Sequence, residues 1–198
     1  MYPLGFVPAS HRLMWSLLAL AAAGVIGIVM GAIARPMRAA GGPGIVPFEL
    51  TEDSREARRI LTRWGPAGRA AAVTQTYVDV AFLLAYGTAL SLFCGYIGRR
   101  AGAAKLPDLR TAAIVFAWLA VAAALCDLIE DIAMLVTLAG FHPRDYADLS
   151  GPVDRRTGEQ RVPNATSVQV SRFASRVKFG LIGVCVLFLP IGIGVLNT

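Results

Sequence analysis

Residues 111–139 read TAAIVFAWLAVAAALCDLIEDIAMLVTLA. From Thr111 to Cys126 the run carries no charge, and it is longer overall than an ordinary core helix. Asp127, Glu130 and Asp131 then interrupt it, after which it continues through Met134 to Ala139. In hydrocarbon no water is at hand to satisfy backbone N–H and C=O groups, so such a run is a helix. On a helix Asp127 shares a face with Glu130 (i+3) and Asp131 (i+4), and Met134 extends the stripe. At the bilayer centre each acid costs about 2.5–3.5 kcal/mol on insertion scales. Three carboxylates facing lipid at that depth would cost roughly 8–10 kcal/mol. They therefore face the bundle, sit near an interface, or are partly protonated.

Outward from this segment, three further runs are long enough to cross a hydrocarbon core of ~30 Å, which takes about 20 helical residues. They lie at about 13–34, 76–98 and 174–196, with 111–139 as the third span in chain order. The bulk numbers agree. The chain of 198 residues is 56% hydrophobic and only 16% charged, where soluble domains carry about 25% charge. Mean hydropathy is +0.58. The expected fold is all-α, an integral membrane four-helix bundle forming one membrane domain over 1–198. The apolar run of the first span exceeds the usual signal-peptide core of about 7–15 residues, so it is expected to be a retained helix although GAIA before Arg35 resembles a cleavage site.

The net charge is +6, and all but two of the 19 basic residues are arginine, the exceptions being Lys105 and Lys178. This Ala-, Gly- and Arg-rich usage suggests a bacterium with GC-rich DNA. Basic loops on a membrane protein set topology and touch anionic lipid. No basic run is interleaved with aromatics, so no nucleic-acid partner is expected. The short loop 99–110 is dense in basic residues, which assigns it and both termini to the cytoplasm, in a bacterial inner membrane. The long loops 35–75 and 140–173 then lie outside.

The first long loop has internal order. In TEDSREARRILTRWG, Ala57, Ile60, Leu61 and Trp64 recur at i, i+3, i+4 and i+7, one apolar face of a short amphipathic helix at about 52–64. Thr51 or Asp53 is its expected cap, and Gly65-Pro66 its end. Its Arg-rich opposite face suits a helix lying in the headgroup plane; a lid packed on the bundle is the equal alternative. Residues 39–50 form a Gly/Pro-rich connector. Loop 140–173 is polar and irregular, with a glycosylation sequon by spelling at Asn164-Ala165-Thr166. Ala23, Gly27 and Gly31 give the first span a small-residue face for a helix partner or a second copy of the chain. Gly180 and Gly183 permit close approach in the fourth span, and Pro190 should bend it.

Topology gathers the polar residues. The second span starts, the third ends and the fourth starts on one side of the membrane. Tyr77 and Asp79 therefore share a depth zone with Glu130 and Asp131, and Arg172, Arg176 and Lys178 join them. Asp127 lies somewhat deeper. Phe82 and Tyr86 continue the Asp79 face as an aromatic floor. The cluster is either an ion-pair network locking the spans together or a functional site. As a site it comprises Tyr77, Asp79, Phe82, Tyr86, Asp127, Glu130, Asp131, Arg176 and Lys178.

Several chemistries are set aside. His11 and His142 are the only histidines and lie at span edges, which disfavours a His metal site or a Ser-His-Asp triad. Cys94, Cys126 and Cys185 stand far apart in apolar runs and read as small buried hydrophobes. No Glu-x-x-His pair, phosphate loop or dinucleotide fingerprint occurs. An all-carboxylate cation site is allowed chemically, but Arg176 and Lys178 stand against it. No metal or cofactor is expected.

Phe48-Glu49-Leu50, Trp64-Gly65, YVDVAFLLAY (77–86) and CDLIEDIAML (126–135) resemble, in their order, a loose group of uncharacterised bacterial four-span membrane proteins. The resemblance covers about 46–139 and implies the fold without an activity. Four-span EXPERA proteins, which act on or bind sterols, are similar in type, placing acids among aromatics in a helical bundle. The functional expectation is a membrane protein that binds a lipid or other amphipathic small molecule, its anionic head group at Arg176 or Lys178. The alternatives are a membrane-embedded enzyme or proton-coupled transporter using Asp127 and Glu130, and an accessory subunit of a larger membrane complex.

Overall fold

The computed structural model describes residues 1–51, 53–141 and 165–197. Their order is α1 (Arg12–Ile33), α2 (Arg35–Ala39), α3 (Ile45–Glu49), α4 (Ser54–Ala103), α5 (Pro107–Ala139) and α6 (Ala165–Leu196). Among the described residues there is no strand, and the fold is the expected all-α membrane bundle. Helices α1, α4, α5 and α6 are long and apolar enough to cross a membrane, which makes this a multi-pass membrane protein. Large aliphatics such as Ile28, Leu84, Leu125, Ile132, Leu187 and Ile191 are exposed, as suits a hydrocarbon solvent.

The element boundaries depart from the sequence reading in four places. The chain breaks at Gly65 (φ 62°, ψ −173°), as Gly-Pro requires, but helix resumes at once instead of leaving a loop to residue 75. Pro66 takes the first position of the new segment, where its fixed φ suits a helix and its missing N–H costs nothing. The Ala-rich stretch 67–73 then carries α4 straight into the second span. The loop 99–110 shrinks to a three-residue turn between α4 and α5. There Leu106 N–H donates to Ala101 O (2.9 Å) and Lys105 N–H to Gly102 O (3.3 Å), a Schellman closure that sets Lys105 at φ 58°. Two short helices appear in the first long loop, α2 just before the supposed connector and α3 within it; Gly41 (φ 69°) closes α2 in the same way. Finally, α6 starts at Ala165 rather than 174. Residues 142–164, with His142 and Asn164 of the sequon, lie outside the described residues.

The described residues cluster in two compact units. The first comprises Met1–Ile28, Val80–Leu128 and Arg176–Thr198; the second Val29–Asp79 and Ile129–Ser175. In the first, α1 packs on α4 through polar as well as apolar contacts. Ser16 Oγ donates to Ala89 O (2.9 Å) and Arg12 Nη1 to Gly95 O (3.3 Å). Ala23 is buried against Leu83 and Tyr86, and a Cβ on Gly27 would stand 3.8 Å from the Phe82 ring. This part of the small-residue face is therefore used inside the chain, whereas Gly31, Gly180 and Gly183 have open space beside them. Alanines 113, 117 and 120 bring α5 close to its neighbours, and Phe116 stacks on Phe188 at 4.2 Å. The N-terminal segment folds back over this unit: Arg12 lies over the Tyr2 ring, and Trp118 Nε1 donates to Met1 O (3.1 Å).

Trp64 organises the second unit. It is 1% exposed and packs with Met37, Phe48, Leu61 and Leu138 in one core. Its Nε1 donates to Pro43 O (2.7 Å), and its ring meets Phe48 at 5.0 Å. Gly42 and Gly68 leave the room: a Cβ on Gly42 would collide with the indole, and one on Gly68 would sit 2.8 Å from Trp64 Cβ. The apolar face Ala57, Ile60, Leu61, Trp64 is thus turned into the protein's own core. Asp53 caps the segment by accepting from Glu56 N–H (2.7 Å), while Thr51 Oγ1 bonds back to Pro47 O. Past the break, Arg69 Nη1 donates to Leu61 O (3.0 Å), and its guanidinium lies over Phe141.

Candidate functional site

The three carboxylates of the opening segment are all buried. Asp127 is 2%, Glu130 1% and Asp131 2% exposed. Their positions on α5 share the face that also carries Met134 and Thr137, both buried. None of the three is turned to lipid, and this removes most of the insertion cost that the sequence posed as a problem.

In the first unit, Lys178 of α6 answers Asp127 directly. Its Nζ donates to Asp127 Oδ1 at 2.6 Å, with Lys178 only 6% exposed. The same ammonium lies 4.9 Å from the Phe179 ring centroid. A pair this short with both members buried is held by charge-assisted hydrogen bonding in surroundings of low dielectric. Arg176, expected beside Lys178, is exposed. Tyr86 is buried with Ala23 and Leu83, and Phe82 packs at its edge, the two rings 5.4 Å apart. This pair is core packing as much as a floor.

In the second unit, Glu130 and Asp131 are followed along α5 by residues that meet small polar groups of the neighbouring helices. Thr76 Oγ1 of α4 bonds Ala72 O (3.0 Å) and Met134 Sδ (3.2 Å). Thr137 Oγ1 of α5 meets Ser167 Oγ of α6 at 2.7 Å. These contacts bring three helices together one to two turns along α5 from the carboxylates. Asp79 and Arg172 are half-buried, and each takes part in interactions of its own. Tyr77, placed in the site by the sequence reading, is 63% exposed and stands apart from the buried set.

The sequence reading missed a hydroxyl stripe. Ser167, Ser171 and Ser175 recur at i, i+4 and i+8 on α6, and Lys178 follows at i+11; all four are buried. Starting the fourth span at 174 cut the first two serines off. The period-four serines before a lysine were the available signal. Gln75 was lost in the same way, just outside a span begun at 76. Ser175 Oγ bonds back to Ser171 O (2.9 Å). Gln75 Oε1 and Ser171 Oγ, both buried, find no hydrogen-bond partner among the described residues.

Among the described residues no group of three or more His, Cys, Asp or Glu side chains is arranged to hold a metal ion. Compared with protein-family models, curated proteins and solved structures, the chain has no match.

Proposed function

We propose that this membrane protein binds a small amphipathic molecule, a lipid or one built like a lipid, with its polar end among the buried groups of the second unit. The observation that carries this reading is the open hydrogen-bonding capacity of Gln75 Oε1 and Ser171 Oγ, in the same unit as the buried carboxylates Glu130 and Asp131. A buried polar atom without a partner costs about 1–3 kcal/mol, and a bound polar group or water relieves that cost. Lys178 is engaged by Asp127 and Arg176 is exposed, so neither favours the anionic head group expected from sequence. Gln75 Oε1 and Ser171 Oγ can accept hydrogen bonds, which favours hydroxyl or ammonium donors instead. The same reading assigns the protein to a bacterial inner membrane with both termini cytoplasmic. Its support is the arginine-rich composition and the α4–α5 turn, where Arg99, Arg100, Lys105 and Arg110 are all exposed.

The test is thermal unfolding with single-chain amphiphiles of matched length bearing ammonium, hydroxyl or phosphate heads. A ligand that binds only the folded state raises its stability by mass action. Selective stabilisation by a donor head group, lost in Asp131→Asn and Ser171→Ala protein, supports the reading. Equal effects of all three heads contradict it.

A second reading is proton transfer in a membrane-embedded enzyme or transporter. It is favoured by Asp127 and Glu130 lying one turn apart, with Lys178 hydrogen-bonded to the first. Proton flux into liposomes, abolished by Glu130→Gln, would favour it over simple binding. For the accessory-subunit reading, burial of Asp127, Glu130 and Asp131 removes that stretch of α5 as a docking face, which leaves the first span beside Gly31.

A further inference from the structure

Beside Trp64, in the second unit, a cleft of about 640 Å³ has Gly42, Pro43, Leu50, Glu56, Arg59 and Arg63 in its lining. Its helical wall is one face of the first α4 segment, since Glu56, Arg59, Ile60 and Arg63 fall at i, i+3, i+4 and i+7. Its other wall is the α2–α3 connection, where glycine and proline leave the floor free of long side chains. Glu56 Oε2 takes Arg59 Nη1 at 3.3 Å. Arg63 makes no ion pair among the described residues, so the cleft keeps a net positive charge. Leu50 lines the cleft and is exposed, and Val46 one turn before it on α3 is exposed as well.

We propose that this cleft holds the phosphate of an anionic phospholipid, with Arg59 and Arg63 on the phosphate and Leu50 against the start of the acyl chain. The chain enters α2 immediately after the α1 span ends at Ile33, so these residues follow the membrane exit and fit headgroup depth. Two arginines one turn apart on a helix match an anionic oxygen cluster. Exposed leucine and valine beside them suit the boundary between head groups and hydrocarbon. The site shares no residue with the buried cluster, so the two proposals fail separately.

The experiment uses the full chain in nanodiscs containing equal parts of anionic glycerophosphate lipid and zwitterionic choline lipid of matched chains. After detergent extraction, retained lipid is read by native mass spectrometry. Wild type is expected to retain the anionic lipid preferentially. Arg59→Gln and Arg63→Gln should each lower that preference by about fivefold. The exposed control pair Arg99→Gln/Arg100→Gln should leave it unchanged, and Leu50→Ser should weaken retention of both lipids. Unfolding curves confirm that the surface variants remain folded. Equal loss in the control pair would make the effect one of general charge and overturn the proposal. Displacement of the lipid by millimolar inorganic phosphate would assign the cleft to free phosphate and overturn it too.

Discussion

Lys178 Nζ lies 2.6 Å from Asp127 Oδ1, and both side chains are buried. Breaking one partner of such a pair strands the other charge at low dielectric. Lys178→Met alone and Asp127→Asn alone are expected to destabilise the protein by ~3–5 kcal/mol each. The double variant should recover part of that loss, because the two changes are coupled. Denaturant unfolding in mixed micelles measures all four corners of the cycle. Additive single effects would mean that the two groups do not share a hydrogen bond.

Trp64 and Gly42 offer a second coupled pair. Trp64→Ala empties a fully buried indole site and should cost ~3–5 kcal/mol. Gly42→Ala drives a methyl into the indole, with Nε1 only 2.8 Å from the new Cβ, and should cost ~1–3 kcal/mol. In a Trp64→Ala background the Gly42 change should cost little. Protease resistance between α2 and α4 should fall with stability in the single variants.

The spans, the amphipathic segment and the gathering of Lys178 with the α5 acids were legible in the sequence, because each rests on periodicity, topology or the cost of charge in hydrocarbon; which acid Lys178 meets was not. The inward turn of Ala57, Ile60, Leu61 and Trp64 was half legible: the apolar face was plain, but the partners on which it packs include Met37 and Phe48, in a part of the long loop where no helix was expected. The continuity of α4 past Gly65 is not legible in Gly-Pro alone, because proline begins a helix as well as following the end of one. The serine stripe was missed because hydrophobicity set the start of α6. Polar residues on a buried face do not register on an apolar scale. The exposure of Tyr77 was not foreseen, because depth was inferred and helix rotation was not.

The Asp53 cap carries a pH signature. Hydrogen bonding from the Glu56 backbone N–H, foremost, holds the Asp53 carboxyl below its ordinary value of 3.8. A carboxylate depressed in the folded state adds stability that is complete above the unfolded value and lost as pH falls through the folded one. Amide exchange at Arg55, Glu56 and Ala57 should therefore accelerate below about pH 4 relative to the rest of α4. Asp53→Ala should show the fast exchange at every pH.

Lys105 sits at φ 58° in the α4–α5 turn. Left-handed backbone costs a non-glycine residue about 1–2 kcal/mol, and its side chain is exposed. Lys105→Gly is expected to stabilise the protein by about 0.5–1 kcal/mol. The result is read as a rise in unfolding midpoint; a fall would mean that the lysine makes a contact worth more than the strain.

The most direct measurement of the central claim is the small-molecule content of the purified protein. Wild type, extracted gently from its native membrane, should release an amphipathic molecule with a hydroxyl or ammonium head on denaturation, in near-stoichiometric amount. Ser171→Ala and Asp131→Asn protein, folded and inserted to the same extent, should release far less of it. Equal release from wild type and both variants, or the release of bulk membrane lipid in bulk proportions alone, would contradict a ligand site among Gln75, Glu130, Asp131 and Ser171.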